Sequence, residues 1–260
     1  MEGVSMRILR NIAVSFSMYS RIPMPQFVWE EEDMKHILLF LPWVGGLIGL
    51  FSALVFFFLP LPHRFFYIGI FSLLPLFVTG GFHLDGFMDV EDALHSYQPR
   101  EKKLLILKDP HIGAFSVIGL MTYLMAWGTA MSYLFYGQTI LSGEKILLYC
   151  LIFFIARCAC ALTCLILDTA KKEGMLTMER GNRDKRDIWL LGLQLTAALV
   201  TALCLHPLTA IAFSCVLVLF TLYYDRLCRK NFGGVTGDTA GYYVVMLELF
   251  LLMAVACTAG

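Results

Sequence analysis

The chain has 260 residues, 58% of them apolar and 15% charged, where soluble globular proteins run at roughly 45–50% and about 25%. Its mean hydropathy is +0.72, and twenty basic side chains balance twenty acidic ones, so neither a basic surface for nucleic acid nor an acidic disordered tail is indicated. So few charges cannot cover so much apolar surface in water, and the expectation is one integral membrane domain, residues 1–260, in a lipid bilayer.

From the N-terminus, Arg7, Arg10 and Arg21 flank a weakly apolar, Ser-rich stretch without the unbroken apolar core and cleavage site of a signal peptide. Seven stretches then approach the roughly 20 apolar residues that a spanning helix needs: Met34–Leu59, Arg64–Phe82, Ile112–Tyr136, Ile146–Leu167, Ile188–Leu205, Leu208–Asp225 and Thr239–Thr258. Only His206 and Pro207 part the fifth from the sixth, a tight helical hairpin. Runs such as LVFFFL and LLYCLIFFI lack the alternation of a membrane β-barrel. The predicted fold is all-α: a polytopic helical bundle of about seven transmembrane helices. Six of eight cysteines lie in apolar stretches and none forms a C-x-x-C pair, so they read as small apolar side chains.

With the N-terminus inside, the inner segments hold Arg7, Arg10, Arg21 and Lys35; Arg100, Lys102, Lys103 and Lys108; Lys171, Lys172, Arg180, Arg183, Lys185 and Arg186; and Arg226, Arg229 and Lys230. These are seventeen of the twenty basic residues, a bias that marks the cytoplasmic side. The long polar connections 83–111, 168–187 and 226–238 fall on that same face, so the chemistry is expected there.

The densest polar cluster is GGFHLDGFMDVED, Gly80–Asp92. Asp85, Asp89 and Asp92 recur at i, i+4 and i+7, one narrow face of a helix. Three like charges repel unless a cation sits among them, and carboxylates beside a substrate phosphate suit Mg²⁺; Mn²⁺ accepts the same oxygens. A solvated helix face is the plainer alternative. Glu91 projects to another side and reads as solvated.

A second cluster is FGGVTGDTAG, Phe232–Gly241. Gly233, Gly234 and Gly237 permit close backbone approach, and their amides at the start of the last span could hold a phosphate. Asp238 is a candidate metal ligand or general base, or simply a helix cap. In a third piece, LKDPHIGAF, Lys108 can neutralise a diphosphate, and Asp109 can cap the third span or join a metal site. His111 reads as solvated. Inside the spans, Glu248 and Arg157 are costly charges: either a buried pair holding helices together or the lining of a polar cavity.

Together these residues resemble the cobalamin synthase (adenosylcobinamide-GDP ribazoletransferase) family. HLDGFMDVED (His83–Asp92), KDPHIG (Lys108–Gly113) and GGVTGD (Gly233–Asp238) match its three motifs in order, and SRIPMP (Ser20–Pro25) and LPWVGGLIG (Leu41–Gly49) fit its opening. Ala93 stands where many members have glycine, and Val245 where many have the first of two glutamates; Glu248 keeps the second. The region 168–187 matches loosely.

The resemblance implies transfer of adenosylcobinamide phosphate from adenosylcobinamide-GDP to α-ribazole or its 5′-phosphate, with release of GMP, in the inner (cytoplasmic) membrane. Asp85, Asp89, Asp92 and Asp238 would hold Mg²⁺, and His83 or an aspartate would take the proton. Lys108, Asp109, Gly233, Gly234, Thr236, Gly237 and Glu248 would bind substrate. A homo-oligomer, or association with other enzymes of the pathway, stays open.

Two rivals are weaker. A CDP-alcohol phosphatidyltransferase resembles D-G-x-x-A-R, and here Asp85-Gly86 is followed by Phe87, Met88, Asp89 and Val90, with no Ala-Arg and a different aspartate spacing. A transporter calls for repeated halves and polar sites at the midplane, and a purely structural subunit has no use for four aspartates and a glycine-rich turn on one face.

Overall fold

Proline, glycine and histidine cut the apolar runs into helices. The computed structural model describes residues 4–135, 141–170, 176 and 184–259. Among them lie eleven α-helices: α1 (Val4–Tyr19), α2 (Glu31–Met34), α3 (Leu41–Phe58), α4 (Arg64–Thr79), α5 (Phe82–His95), α6 (Arg100–Ile106), α7 (Ala114–Leu134), α8 (Gly143–Ile166), α9 (Lys185–Leu205), α10 (Pro207–Asn231) and α11 (Gly237–Thr258). The one β contact among these residues is an isolated bridge between Thr169 and Val235. The helical bundle is as expected from composition.

Six helices, α3 and α7 to α11, are long and apolar enough to cross a bilayer. The seventh expected span is different. α4 and α5 pass the same test only as a pair bent by 92°. Gly80 (φ +67°) and Gly81 (φ +86°) make the bend, a backbone conformation that residues with a Cβ rarely adopt. The expected span Arg64–Phe82 therefore stops at Thr79, and Phe82 opens the next helix. Four acidic side chains make α5 too polar for hydrocarbon, so the turn separates an apolar helix from one suited to water.

Other boundaries shift for local reasons. The first span begins at Leu41 rather than Met34, because a short α2 and a 3₁₀ turn (Ile37–Leu39) precede it, and Pro42 suits the first turn of α3. Tyr136, the expected end of the third span, lies outside the described residues. His206 closes α9 and caps α10, its ring accepting from the Thr209 amide, so the expected hairpin is present. The arginine-bearing N-terminal stretch is a 16-residue helix. Arg10 grips buried Asp33 through both carboxylate oxygens, at 2.8 and 2.7 Å, and Asn11 donates to the Asp33 carbonyl. One of the arginines behind the expected orientation thus fastens α1 to the segment leading into α3.

The core is built on α8 and α11, the most enclosed of the six spans. α3 lies against α8 with almost nothing between the backbones. A Cβ on Gly45 would stand 2.2 Å from the Phe153 carbonyl oxygen, and one on Gly49 would stand 2.8 Å from that of Cys150. This small-xxx-small spacing is how membrane helices gain packing contact without a hydrophobic driving force. Across the core, Arg157 of α8 meets Glu248 of α11, Nη1 to Oε1 at 2.5 Å, with both side chains buried. Of the two readings of these charges, the helix-joining pair is the one formed. Replacing Arg157 by Met or Glu248 by Leu alone should cost about 3–5 kcal/mol, because each leaves a buried charge unpaired. The double replacement should recover most of that loss in denaturant unfolding of detergent-solubilised protein.

Candidate active site

The site is assembled where α5 crosses the first turn of α11. A Cβ on Gly86 would stand 2.9 Å from the Asp238 Cα, and one on Gly241 would stand 2.8 Å from the His83 carbonyl oxygen. Two bare helix surfaces therefore touch, and Asp238 is pressed against α5 between the levels of Asp85 and Asp89. Asp85 is exposed, while Asp89, Asp92 and Asp238 are half-buried. Burial, then the charges of Asp85, Asp238 and Asp92 in that order, push the Asp89 carboxyl up to about 7. The four aspartates of the sequence prediction thus share one electrostatic environment, and its negative charge suits a cation.

Among the described residues, the three-residue group of potential ligands with donor atoms within 4.8 Å of one another is His36, Asp184 and Asp187. The aspartates of α5 and α11 are spaced more widely. Among the described residues they therefore form no closed protein cage, and a cation there would take only one or two of them and fill its shell with water and substrate oxygens. His36 and Asp187 make a direct 2.7 Å contact that ties the segment before α3 to the start of α9.

Asp92 has a second duty. Its Oδ2 accepts the Gly113 amide at 2.7 Å and its Oδ1 accepts the Ser116 amide at 2.9 Å. The cap of α7, expected from Asp109, is supplied by Asp92. Asp109 instead accepts from its near neighbour His111, backbone amide and ring, in an exposed turn, and Lys108 beside it is also exposed.

The glycine-rich turn is held from within. The amides of Gly233 and Gly234 both donate to the Cys228 carbonyl, and that of Val235 donates to the Asp168 carbonyl. The Thr236 amide donates to Thr239 Oγ1, and Thr236 Oγ1 accepts the Thr239 amide, a capping box. The donors expected at Gly233 and Gly234 are thus occupied, and these residues shape the turn, with φ of +86° and +155°. Gly237, the first residue of α11, is exposed, with open space where a Cβ would be. First-turn amides have no intrahelical acceptor, so an anion would meet this end of the helix.

A family model described as cobalamin-5-phosphate synthase matches residues 11–256. The chain belongs to that family. It is 30% identical to the adenosylcobinamide-GDP ribazoletransferase of Lachnoclostridium phytofermentans, over 98% of this chain and 96% of that one. It is 33% identical to the protein of that name from Clostridium perfringens strain 13, covering 92% and 94%, and 28% identical to that from Listeria monocytogenes, covering 97% and 99%. No solved structure matches.

Two residues of this cobalamin-5-phosphate synthase family member stand apart from the aspartate face. His83 precedes Asp92 by nine residues, about half a turn around α5, and points the other way. It is buried, stacked 6.2 Å from Tyr19, and its Nδ1 has no partner among the described residues. Burial, reinforced by the charge of Arg157, holds its ring neutral, well below the ordinary imidazole range. It lines a cavity of about 60 Å³ with Cys160, Cys164 and Gly237. Glu248 is committed to Arg157 in the core, so it too stands away from the aspartates.

Sequence reasoning missed three features. Gly86 and Gly241 make the helix crossing; the four-residue step from Gly237 to Gly241 was a visible hint. Arg100 lies over the turn, its Nη1 3.3 Å from where a Cβ of Gly233 would be, and donates to the Arg229 carbonyl. Glu91, expected to be solvated, has a side chain only 15% exposed.

Asp89 keeps its proton to about pH 7 when folded, against an ordinary 3.8. The folded state therefore binds the extra proton between these values, and the stability this confers is lost as pH rises towards 7. In metal-free buffer, Asp89→Asn should unfold at a higher temperature than the parent at pH 8, with the gain shrinking at pH 5.

Proposed function

We propose that this protein is an adenosylcobinamide-GDP ribazoletransferase of the inner (cytoplasmic) membrane, with its N-terminus and reaction face towards the cytoplasm. It passes adenosylcobinamide phosphate from adenosylcobinamide-GDP to α-ribazole or α-ribazole 5′-phosphate, and releases GMP. The observation that carries this reading is the meeting of the α5 aspartates with Asp238, in a chain whose relatives of that name match along nearly their whole length. The positive-inside bias of the polar connections supports the orientation.

In the reaction, a ribose hydroxyl oxygen bonds to the adenosylcobinamide-linked phosphorus as the bond from that phosphorus to the bridging oxygen breaks. GMP leaves with the bridging oxygen. An acceptor that carries a 5′-phosphate has no free 5′-hydroxyl, so with α-ribazole 5′-phosphate another ribose hydroxyl attacks. Phosphoryl transfer depends on positioning and charge neutralisation more than on covalent chemistry. Asp85, Asp89, Asp92 and Asp238 would hold Mg²⁺, or Mn²⁺, which supplies that neutralisation at the diphosphate.

The chain's own groups do the rest. A carboxylate oxygen of the stripe accepts the hydroxyl proton. An aspartate suits this role better than His83, because His83 is buried on the opposite side of α5. The Gly237 amide and the positive end of α11 receive a phosphoryl oxygen, on a turn shaped by Gly233, Gly234 and Thr236. Lys108 meets the departing phosphate, on a turn pinned by Asp109 and His111.

Purified protein in detergent, given adenosylcobinamide-GDP, α-ribazole and Mg²⁺, should form a cobalamin product and GMP. Asp89→Asn, or excess EDTA, should lower the rate by about 10²-fold or more. Unchanged turnover by Asp89→Asn would remove the stripe from the reaction. A lipid phosphodiester product in place of a corrinoid would overturn the assignment.

A further inference from the structure

The buried side of α1 is more polar than its exposed side. Asn11 and Ser15 lie with Val14 on the side packed against the protein, and the Asn11 amide donates to the Asp33 carbonyl. The outward side carries exposed Met6 and Leu9 and continues through half-buried Ile12 and Phe16. Leu9, Ile12 and Phe16 recur at i, i+3 and i+7, the stripe that a helix in water turns to its core. With 16 residues, Arg7 and Arg10 among them, α1 is too short and too charged to span a bilayer.

A second apolar piece is held beside it. Val28 and Trp29, between α1 and α2, are 86% and 43% exposed. Arg10 fixes this segment to the helix: its guanidinium lies 4.5 Å from the centre of the Phe27 ring and donates to the Val28 carbonyl at 3.2 Å.

Neighbouring elements set the level of α1 along the bundle. Tyr19, its last residue, lines one cavity with Leu41 of α3, His83 of α5 and Gly237 of α11. The helix therefore lies where α3 and α11 begin, at the end that holds the aspartates. Trp43, in the first turn of α3, is exposed at that end. So is Trp189, near the start of α9, where Asp187 meets His36. Exposed indole rings at one level are the mark of a membrane–water boundary. The fourth tryptophan, Trp127, is buried against the core.

We propose that α1 is an interfacial helix, lying in the headgroup layer of the bilayer at the aspartate-bearing end, with Met6, Leu9, Val28 and Trp29 turned into the acyl chains. Such a helix rests its apolar side about 5–10 Å into the headgroup boundary. Arg7, exposed between Met6 and Ile8, is long enough to keep its charge among the phosphates. The chain at the end of α1 is fastened to both sides of the bend that opens α5. Arg21 donates its amide to the Val78 carbonyl at 2.8 Å, and its aliphatic stem lies 2.8 Å from where a Cβ of Gly80 would be. Beyond the bend, Tyr19 meets the Phe82 ring edge-on at 5.5 Å and stacks on His83. Lipid beneath α1 thus sets the height of that bend, and of the aspartate helix it starts.

The test is quenching of Trp29 in the full chain, reconstituted in phosphatidylcholine vesicles brominated either near the headgroup or near the chain end. Subtracting the emission of Trp29→Phe, which keeps an aromatic ring at an exposed position, isolates the Trp29 signal. Shallow bromines should quench that signal about twofold or more beyond deep ones, as the depth of an interfacial helix requires, and aqueous iodide should spare it. Met6→Asp combined with Leu9→Asp should weaken the shallow quenching and open Trp29 to iodide. A Trp29 signal quenched by iodide and untouched by bromine would place the patch in water and overturn the proposal. A signal that neither reaches, with α1 crosslinking between copies, would make the patch a contact between chains and overturn it equally.

Discussion

Two helices touch with no side chain between them, and the rest of the site is arranged around that contact. Where α5 meets the first turn of α11, glycines on both sides let main chain rest on main chain: Gly86 against Asp238, Gly241 against the His83 carbonyl. The consequence is positional. Asp85, Asp89 and Asp92 come from one helix and Asp238 from another about 150 residues later, yet Asp89 feels all three of the others. A methyl group at either glycine would force the helices apart, with backbone rather than flexible side chain in its way.

The crossing brings like charges together, which in isolation opposes folding. The cost is limited by where it falls. Asp85 is exposed, Asp92 spends both oxygens on the amides of α7, and Asp89 holds a proton to near neutrality. Deeper in the bundle the opposite arrangement holds: Arg157 and Glu248 neutralise each other with both side chains buried. The chain thus carries a balanced pair in its core and an unbalanced cluster at its rim.

Much of this was legible in the sequence. Composition dictated lipid, apolar runs gave the spans, and the i, i+4, i+7 spacing placed three aspartates on one face, because each depends on local chemistry. What was not legible depends on tertiary approach. The bend at Gly80–Gly81 looks, as text, like the end of an apolar run. Gly233 and Gly234 looked like anion donors, and their amides turn inward because Cys228, at the end of α10, offers a carbonyl. Glu91 looked solvated because nothing local reveals that Gly119, 28 residues on, leaves a space for it. Asp109 looked like the cap of α7 because it is near in sequence, and Asp92 is nearer in space.

That last exchange makes Asp92 a mechanical joint. The carboxylate that completes the acidic stripe is also the clasp on the first turn of α7, and α7 is one wall of the cavity that Glu91 faces. Any cation drawing on the Asp92 oxygens competes for lone pairs with the Gly113 and Ser116 amides. A movement of the Asp92 carboxylate is therefore a movement of the first turn of α7, and of the cavity wall that this helix carries.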